Sequence, residues 1–460
     1  MPYLTISLPR VFTAVKLILA GVFSALSIAC ASKPVEVTTG AMVSLDTTRR
    51  VAARVRKPAP VRSFWGAMTN LDPDYVVTHP VTPDEREFAN ALRLVMAGTA
   101  DEAELVLDSL ARHASDSVVR SASHILLTAM LQYQDKWKEL SEISPSRTAE
   151  PAEVDRAGVE RWAAAFKDVP RRSVDFPATA VVVPLTLSAA GTPVIPVEIN
   201  GRLKHFWLDT GSSMSIIASD VAAECGVEPL VKDTLEVATS TGRVAARPAA
   251  IRKLAIGGIS VLSSTAMIVS AELMEIHVGD LQSPAMTVKI DGIVGFDIIS
   301  RMNVQVDYTK GIVRFTRPVP SAGTLSQRNF FWVGAPVVRL VSQTGIPLHL
   351  GLDTGAQETF ATEHLLEKIR VHTFIGDRKR IGGVGGLKEF RGRFISDVRL
   401  ALRGKTLLFQ KVLVFAPSSP TFVILDGVLG SDIGRTGTVQ IDAANGVFSI
   451  DSSPLEGRRR

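Results

Sequence analysis

The stretch HFWLDTGS (residues 205–212) decides the fold of this chain, together with its near-copy HLGLDTGA (residues 349–356). In both, an apolar run enters Asp-Thr-Gly, and a small residue follows the glycine. The second copy lies 144 residues after the first. One Asp-Thr-Gly alone is weak evidence, because such tripeptides are common turns. Two copies in the same apolar setting indicate an internal repeat.

Two further motifs repeat downstream in the same order. IDGIVGFDI (residues 290–298) matches LDGVLGSDI (residues 425–433), and VQVD (residues 304–307) matches VQID (residues 439–442). Both pairs are offset by 135 residues. Three motifs that occur twice in one order predict two similar lobes, the second nine residues shorter between its first two motifs.

The sequence around these motifs has the composition of a small all-β protein. From about residue 174, short β-branched runs such as VVVPLTL (residues 181–187) alternate with Gly and Pro. This pattern predicts short strands joined by turns. Lys310-Gly311 and Asn445-Gly446 each follow a repeated motif, and their composition predicts two-residue hairpin turns.

These motifs resemble the aspartic peptidase family in its retropepsin-like form. The resemblance covers residues 174–455 and rests on an apolar strand entering Asp-Thr-Gly-Ser/Ala, followed at domain distance by hydrophobic-hydrophobic-Gly. It implies a mainly β fold of two acid-protease barrel lobes, residues 171–320 and 325–460, with the active site in the cleft between them. Because one chain carries both halves, it also implies a pseudo-dimer within a monomer.

The resemblance implies that Asp209 and Asp353 are the catalytic carboxyls. Two carboxyl groups held close together share one proton, because like charges in contact cannot both ionise. One group then takes a proton from water while the other protonates the carbonyl oxygen, so hydrolysis needs no metal and no cofactor. These roles belong to the pair and not to either residue singly. Gly211 and Gly355 are expected to let the two loops approach without a side chain between them.

The residues beside these glycines are expected to support the catalytic loops. The resemblance implies that the hydroxyls of Thr210 and Thr354 form hydrogen bonds across the two-fold axis. In the family, a Ser or Thr after the glycine often bonds the carboxylate, which Ser212 can do and Ala356 cannot. The two carboxyl groups are therefore expected to differ in proton affinity.

A flap that closes over the cleft is a further feature that the resemblance implies. The candidate in lobe one is the stretch ATSTGR, which contains Thr241 and Gly242. The candidate in lobe two is GGVGG, which contains Gly383 and Gly385. Glycine-rich tips suit a mobile lid. Neither stretch contains the Tyr of pepsin-like flaps, and a plain surface loop is the alternative for each.

His205 and His349 occupy matching positions before the two Asp-Thr-Gly motifs. A paired metal site is conceivable, but a pair of surface residues on alternating strands is favoured. The chain has no His-Glu-x-x-His and no clustered cysteines, which are common ligand patterns of zinc sites. We therefore expect no metal and no cofactor. Cys225, in an Ala-rich apolar stretch, is expected to be a buried structural residue.

The N-terminus has the features of a secretion signal. Basic residues precede an apolar run, LILAGVFSALSIA (residues 17–29), which is too short for a membrane span. The run ends in LSIAC (residues 26–30), which resembles the lipobox of bacterial lipoproteins although Ser27 stands where Leu is usual. The resemblance implies removal of residues 1–29 and lipidation of Cys30; ordinary signal cleavage is the alternative. Since no Asp follows Cys30, we expect a lipid anchor in the outer membrane, with the protein facing the periplasm.

Two further segments lie between this signal and the lobes. Residues 30–80, rich in Pro, Thr, Val and Arg, are predicted to form an irregular tether. Residues 81–170 are predicted to be helical, starting at Thr82 with Pro and Glu in the positions of a capped helix. The short amphipathic hairpins resemble tetratricopeptide-like repeats. A structural helical layer and a peptide-binding surface both remain open.

The sequence therefore predicts an aspartic endopeptidase that cleaves peptide or protein substrates in the bacterial cell envelope. The alternative is an inactive peptide-binding envelope lipoprotein with the same fold. Nucleic acid is not expected as a partner, because the formal charge is only +5 over 460 residues and no aromatic stacking positions accompany the basic residues 458–460. Two cysteines exclude a disulfide framework by their count.

Overall fold

A computed structural model describes residues 44–46, 63–143, 153–189, 191–239, 242–278, 286–321, 324–370, 374–415, 423–435 and 437–452. Within these ranges the chain forms three parts, which are a helical layer, a first lobe and a second lobe. Most of their buried apolar side chains pack into one continuous core. The predicted signal sequence and Cys30 lie outside the described residues.

The helical layer precedes the lobes and packs against both of them. No helix in the described ranges is long and apolar enough to cross a membrane. Helix α3 (Pro83–Ala97) begins as predicted. Glu85 N donates to Thr82 Oγ1 at 3.2 Å, and Thr82 N donates to Glu85 Oε2 at 2.8 Å. The helices described in this layer are α1 (Phe64–Thr69), α2 (Tyr75–Thr78), α3 (Pro83–Ala97), α4 (Ala100–His113), α5 (Ser117–Tyr133), α6 (Trp137–Glu142) and α7 (Glu153–Phe166).

Helix α1 lies inside the segment predicted to be an irregular tether. Ser63 caps it, since Gly66 N donates to Ser63 Oγ at 3.0 Å. Phe64 and Met68 of α1 are buried, and Phe64 meets Phe88 of α3 edge-to-face at 6.4 Å between ring centroids. This packing stabilises a helix too short to persist alone. The prediction for residues 30–80 is therefore wrong for α1 and α2, and also for the strand Ser44–Asp46.

Lobe one contains a closed ring of six strands. Its strand order is β2-β10-β7-β13-β6-β5-β9-β8, and β9 also pairs with β10, which closes the ring. The strands are β2 (Ser173–Asp175), β3 (Val181–Pro184), β4 (Thr186–Leu187), β5 (Pro193–Ile199), β6 (Arg202–Leu208), β7 (Ile216–Ala218), β8 (Leu235–Ala238), β9 (Arg243–Ile256), β10 (Ile259–Val269), β11 (Glu275–Val278), β12 (Met286–Lys289), β13 (Gly292–Val294), β14 (Asn303–Asp307) and β15 (Ile312–Thr316). Short helices α8 (Ser219–Glu224) and α9 (Phe296–Ile299) and a 3-10 turn (Ala271–Met274) connect them.

Lobe two repeats this order strand for strand. The order is β1-β22-β19-β23-β18-β17-β21-β20, and β21 pairs with β22 to close its ring. The predicted mainly β fold of two barrel lobes behind a helical segment is confirmed. The strands are β1 (Ser44–Asp46), β16 (Phe330–Trp332), β17 (Pro336–Ser342), β18 (Pro347–Leu352), β19 (Phe360–Ala361), β20 (Ile375–Gly383), β21 (Gly386–Leu402), β22 (Lys405–Val414), β23 (Gly427–Leu429), β24 (Gly437–Asp442) and β25 (Val447–Ser452), with helix α10 (Glu363–Ile369) and 3-10 turns Leu325–Gln327 and Ser431–Gly434.

A five-stranded sheet, ordered β25-β24-β14-β15-β3, joins the two lobes. Its centre is the antiparallel pair β14–β24, in which Gln305 lies opposite Gln440. Val304 lies opposite Ile441, and Val306 lies opposite Val439. These are equivalent positions of the sequence repeat, so the pseudo-two-fold axis passes between the two glutamines. The lobes contact each other through the same strand on each side, as in an isologous dimer.

The hairpins that leave this pair differ from the prediction. Asp307 pairs with Ile312 and Asp442 pairs with Val447, so each loop has four residues and not two. Asp307 Oδ1 accepts the N–H of Lys310 at 2.9 Å, and the loop after Asp442 forms the equivalent bond from Asn445 N at 3.0 Å. The aspartate before each loop therefore fixes a longer turn than the Lys-Gly and Asn-Gly pairs suggested.

Candidate active site

Each Asp-Thr-Gly motif leaves a strand at the inner edge of its lobe. Asp209 follows β6 and its N–H donates to Val294 O of β13 at 3.0 Å. Asp353 follows β18 and its N–H donates to Leu429 O of β23 at 2.9 Å. In both lobes the strand from the Asp-Gly-hydrophobic-hydrophobic-Gly motif runs parallel to the strand that delivers the aspartate. We call residues 209–215 the Asp209 loop and residues 353–359 the Asp353 loop.

The two loops meet at the lobe boundary and bury their carboxyl groups. Asp209 is 0% exposed and Asp353 is 3% exposed. Asp209 Oδ1 accepts hydrogen bonds from Gly211 N at 2.8 Å and from Ser212 N at 3.3 Å, and Asp353 Oδ1 accepts one from Ala356 N at 2.9 Å. A Cβ added to Gly211 would lie 2.4 Å from Asp353 Cγ. Only glycine at this position permits the approach of the two loops, as the sequence predicted.

Burial and proximity raise the pKa of the Asp209 carboxyl well above its usual range. Desolvation is the larger cause, and the negative charge of Asp353 is the second. The N–H groups of Gly211 and Ser212 oppose the shift. Asp209 Oδ2 is buried and receives no hydrogen bond from a backbone N–H or hydroxyl group of the described residues. The pair is therefore suited to share one proton, and one carboxyl oxygen is free of competing donors.

The two threonines bond across the lobe boundary, as the resemblance implied. Thr210 Oγ1 donates to Leu352 O at 2.9 Å and accepts from Thr354 N at 3.0 Å. Thr354 Oγ1 donates to Leu208 O at 2.7 Å and accepts from Thr210 N at 3.0 Å. Each hydroxyl thus satisfies one buried donor and one buried acceptor of the opposite lobe. These four bonds fix the separation of the two loops.

The hydroxyl of Ser212 does not bond the carboxylate, which corrects the expectation for this residue. Ser212 Oγ donates to Met214 O at 2.7 Å, within its own loop. Only the backbone N–H of Ser212 reaches Asp209, and Ala356 N makes the equivalent contact in lobe two. The residue after the glycine therefore gives the two carboxyls similar hydrogen bonds, and the Ser/Ala difference does not make their proton affinities unequal in the way that was expected. Gly355 contributes its carbonyl oxygen, which accepts from Thr192 Oγ1 at 3.1 Å.

A second pair of aspartates supports the loops from behind. Ser215 Oγ donates to Asp297 Oδ1 at 2.9 Å and accepts from Gly295 N at 3.1 Å. In lobe two Thr359 Oγ1 donates to Asp432 Oδ1 at 2.8 Å and accepts from Gly430 N at 3.1 Å. The final aspartate of each repeated motif therefore ties β13 or β23 to the end of the aspartate loop.

The first aspartate of each Asp-Gly-hydrophobic-hydrophobic-Gly motif binds the strand that leads to Asp209 or Asp353. Asp291 Oδ2 accepts the N–H of His205 at 3.0 Å, and Asp426 Oδ2 accepts the N–H of His349 at 2.7 Å. Asp426 also pairs with Lys368 of α10 at 2.9 Å. The sequence located these aspartates within the repeat but did not indicate these hydrogen bonds.

The predicted flap stretches lie at the tips of two equivalent hairpins. In lobe one the tip joins β8 to β9, and Gly242 O accepts from Thr239 N at 2.7 Å; Thr241 lies outside the described residues. In lobe two the tip joins β20 to β21, where Gly383 is paired with Gly386. Gly385 N donates to Leu273 O of lobe one at 3.1 Å. The lobe-two tip therefore contacts the opposite lobe. The role of the two hairpin tips as flaps stays a prediction.

The two histidines are not equivalent in their surroundings. His205 is exposed and His349 is 5% exposed, so the favoured surface interpretation is wrong for His349. Burial is the first cause that lowers the pKa of His349 to about 3, and the charge of Lys368 is the second. Cys225 is buried, as expected. No cluster of three potential metal-ligating side chains occurs in the part of the chain that the structure describes.

One buried residue of this site escaped the sequence analysis. Arg172, in the linker between α7 and β2, lies 2.8 Å from Asp297 Oδ2 with its Nη2 atom. It carries no motif and stands 125 residues before Asp297. Only its position beside the start of the β segment could have drawn attention to it.

A comparison with protein families agrees with the motifs of lobe one. Residues 195–298 match the aspartyl protease family, and this range contains the Asp209 loop and the motif at residues 290–298. Among solved structures, the chain is similar to a retropepsin-like aspartic protease from Rickettsia conorii, with 16% sequence identity and a TM-score of 0.20; the match covers 31% of this chain and 92% of that chain. No curated protein is significantly similar to it. The family match therefore falls on the first of the two Asp-Thr-Gly lobes.

Proposed function

Since residues 195–298 match the aspartyl protease family, we propose that this chain is an endopeptidase that hydrolyses peptide bonds with water activated between Asp209 and Asp353. The observation that carries the proposal is the buried pair of carboxyls, each held by backbone N–H groups at the boundary of two equivalent lobes. The raised pKa of Asp209 keeps a proton on the pair under conditions where an exposed carboxyl would be ionised.

The proposed reaction uses the pair as one unit. The ionised carboxyl takes a proton from a water molecule, which attacks the carbonyl carbon of the peptide bond. The protonated carboxyl donates its proton to the carbonyl oxygen, so charge does not accumulate there. As the C–N bond breaks, the carboxyl that took the water proton donates it to the departing amine nitrogen. The other, ionised carboxyl takes the proton of one hydroxyl of the tetrahedral intermediate, so the pair again shares one proton. The cross-lobe threonine bonds hold both carboxyls in position throughout.

An extended peptide is the substrate class that the surrounding strands favour. β8 and β20, which begin the two flap hairpins, are the terminal strands in their sheet orders. Terminal strands present unpaired N–H and C=O groups that an extended peptide can pair with. We therefore propose unfolded segments of protein as substrates. The contact from Gly385 to Leu273 supports a cleft that is covered from the lobe-two side.

The test is hydrolysis of an unfolded, chemically blocked protein by the purified chain across acidic and neutral pH. We expect cleavage at internal bonds, inhibition by a statine-type peptide, and loss of activity as pH rises enough to remove the shared proton. Mass spectrometry of the fragments measures the result. Binding of the statine peptide without any cleavage would contradict the proposal and favour the alternative, an inactive peptide-binding protein.

We also propose that the protein acts in the bacterial cell envelope, anchored through Cys30. The support is the lipobox-like sequence LSIAC at residues 26–30. Cys30→Ser should abolish fatty-acid labelling and release the protein into the soluble periplasmic fraction, since the anchor requires the thiol. Metabolic labelling and fractionation measure both effects. An unlabelled wild-type protein that cofractionates with the mutant would contradict the anchor.

A further inference from the structure

Arg172 joins the helical layer to lobe one at a buried point. Its side chain is 1% exposed, and its Nη2 atom lies 2.8 Å from Asp297 Oδ2 and 3.2 Å from Asp135 Oδ1. The same atom donates to Thr265 Oγ1 at 3.1 Å, and Nη1 donates to the carbonyl oxygen of Asp297. A buried guanidinium needs such partners, because removing a charge from water costs several kcal/mol.

Asp135 supplies the contact from the helical layer. It lies between α5 and α6, is 7% exposed, and adopts a left-handed backbone with φ 57°. Its second carboxylate oxygen lies 3.5 Å from Arg301 Nη2, and Arg301 donates to Tyr133 O at 2.7 Å. Both cations that bind Asp135 therefore come from outside the helical layer, on the lobe-one side. The ion pairs cross the interface and do not merely stabilise the helices.

Aromatic packing reinforces the same contact. The ring of Tyr133, at the end of α5, stacks on Trp332 of lobe two at 4.5 Å and on Phe296 of lobe one at 6.1 Å between centroids. Phe296 directly precedes Asp297 in the repeated motif, and its N–H donates to Ser212 O at 2.7 Å. The helical layer thus packs on a residue that is hydrogen-bonded to the Asp209 loop.

A continuous path of one ion pair, hydrogen bonds and one peptide link leads from Arg172 to Asp209. Arg172 binds the Asp297 carboxylate, which accepts from Ser215 Oγ at 2.9 Å. Ser215 Oγ accepts from Gly295 N at 3.1 Å. The residue before Gly295, Val294, accepts from Asp209 N at 3.0 Å. All the side chains in this path are buried, so water does not substitute readily for any of them.

Among the described residues, the aspartate behind the Asp353 loop has no salt bridge to the helical layer. The equivalent aspartate, Asp432, accepts two hydrogen bonds from Thr359, from its N–H at 3.0 Å and its hydroxyl at 2.8 Å. Within the described ranges no Lys or Arg forms a salt bridge with Asp432. Arg435, whose charge acts on Asp432, donates to Gln357 O at 3.1 Å instead. The hydrogen bonds to the Asp432 carboxylate therefore come from lobe two itself.

We propose that Asp135 and Arg172 are positioning residues, through which the helical layer holds the Asp209 half of the active site. The layer is then part of the catalytic machinery and not a separate docking module. This inference rests on the proposed peptidase function for its kinetic consequence only. Its structural consequence, a one-sided effect on the Asp209 loop, is independent of activity.

The test uses the full chain and four substitutions. Arg172→Met removes the charge and leaves two buried carboxylates with one fewer cation, whereas Arg172→Lys keeps the charge with fewer donors. Asp135→Asn removes the layer's charge but suits a left-handed backbone, which Asn tolerates, so it remains informative if Arg172→Met folds poorly. Arg171→Met is the matched control, because Arg171 binds Glu139 of the same layer at an exposed site.

The first measurement is hydrogen exchange in the two aspartate loops. We expect Arg172→Met and Asp135→Asn to speed amide exchange in peptides covering residues 209–215, with little change in residues 353–359. Arg171→Met should leave both unchanged. Equal acceleration in both loops, or an Arg171→Met effect as large as that of Arg172→Met, would overturn the proposal. Hydrogen exchange can be measured in this way even if the wild-type chain has no peptidase activity.

The second measurement is kcat per active site, counted by titration with a statine-type inhibitor. Displacement of a catalytic group by about 1 Å costs on the order of a hundredfold in rate, so Arg172→Met should lose about tenfold to a hundredfold in kcat. Arg172→Lys should recover part of this loss. A purely structural role would lower the number of titratable sites while kcat per site stayed at the wild-type value, and that outcome would sink the positioning role. Absence of activity in the wild type would instead contradict the proposed function.

Discussion

Lobe one and lobe two share a strand order and the Asp-Thr-Gly motif, yet the aspartates behind their two carboxyls are held differently. Asp297 of lobe one is paired with Arg172, which also binds the helical layer. Asp432 of lobe two is held by Thr359 alone among the described side chains near it. The two repeats therefore share the backbone geometry at Asp209 and Asp353. They differ in the charged partners of the supporting aspartates, Asp297 and Asp432. Symmetry of the two carboxyl groups does not require symmetry of the residues that support them.

The largest expected effect tests whether the two lobes contribute equally to the reaction. Asp209→Asn and Asp353→Asn should each lower kcat by about a thousandfold or more, because either change removes half of the proton-sharing pair. The double variant should be little worse than either single one, since residues that act as a unit are not additive. Steady-state kinetics on the unfolded substrate measure all three. Near-normal turnover in either single variant would refute the paired mechanism.

A smaller effect tests the symmetry of the cross-lobe hydrogen bonds. Thr210→Val and Thr354→Val each leave a buried N–H and a buried carbonyl without a partner, and each unsatisfied group costs about 1–3 kcal/mol. Because the bonds are mirrored, we expect the two variants to lose similar free energies of unfolding. Denaturant titration measures both, with Thr210→Ser and Thr354→Ser as controls that keep the hydroxyl. A loss of stability in only one of the two variants would show that the mirrored hydrogen bonds contribute unequal free energies.

The smallest expected effect concerns the pH dependence of the two supporting aspartates. Burial raises the pKa of Asp432 from 3.8 to about 6. Its stabilising protonated form is fully populated below about 4 and is lost as pH rises through about 6. Asp432→Asn should therefore gain stability relative to the wild type as pH rises from acidic to neutral. Free energies of unfolding measured at several pH values give this difference.

Asp297→Asn is the contrasting variant in lobe one. Burial also raises the pKa of Asp297, but the charge of Arg172 opposes the shift. Removing the carboxylate leaves Arg172 with Asp135 as its remaining ion-pair partner, and a buried cation with fewer partners is destabilising. We expect Asp297→Asn to be less stable than the wild type at neutral pH. Parallel pH curves for the two variants would contradict the difference between the lobes.

The sequence predicted the meeting of Asp209 and Asp353 and the cross-lobe threonine bonds because both depend on local motifs that occur twice. The bonds of Thr210 and Thr354 followed from the resemblance of these motifs to the aspartic peptidase family. Ser212 differed because its hydroxyl found a nearer acceptor in Met214 O. A side chain with two possible acceptors cannot be assigned from spacing.

Features that depend on contacts distant in sequence were not predicted. Arg172 and Asp297 are 125 residues apart, and no local pattern marks a buried arginine. Helix α1 was missed because its six residues are too few to show a helical period, and its packing on Phe88 decides its structure. His349 matches His205 in sequence, but its strand is buried where the strand of His205 is exposed.

The sheet that joins the lobes also constrains how the chain can fold. β14 is complete at Asp307, but its partner β24 begins only at Gly437, so the strand edge of lobe one stays open until nearly the whole chain is available. An open edge is a template for pairing with another chain. VQVD at residues 304–307 is nearly the same sequence as VQID at residues 439–442, so a lobe-one fragment can offer a second copy of itself almost the same partner. The chain therefore completes its own central sheet only when its last strands pair with β14. Until then, two copies of lobe one can pair with each other through β14 instead.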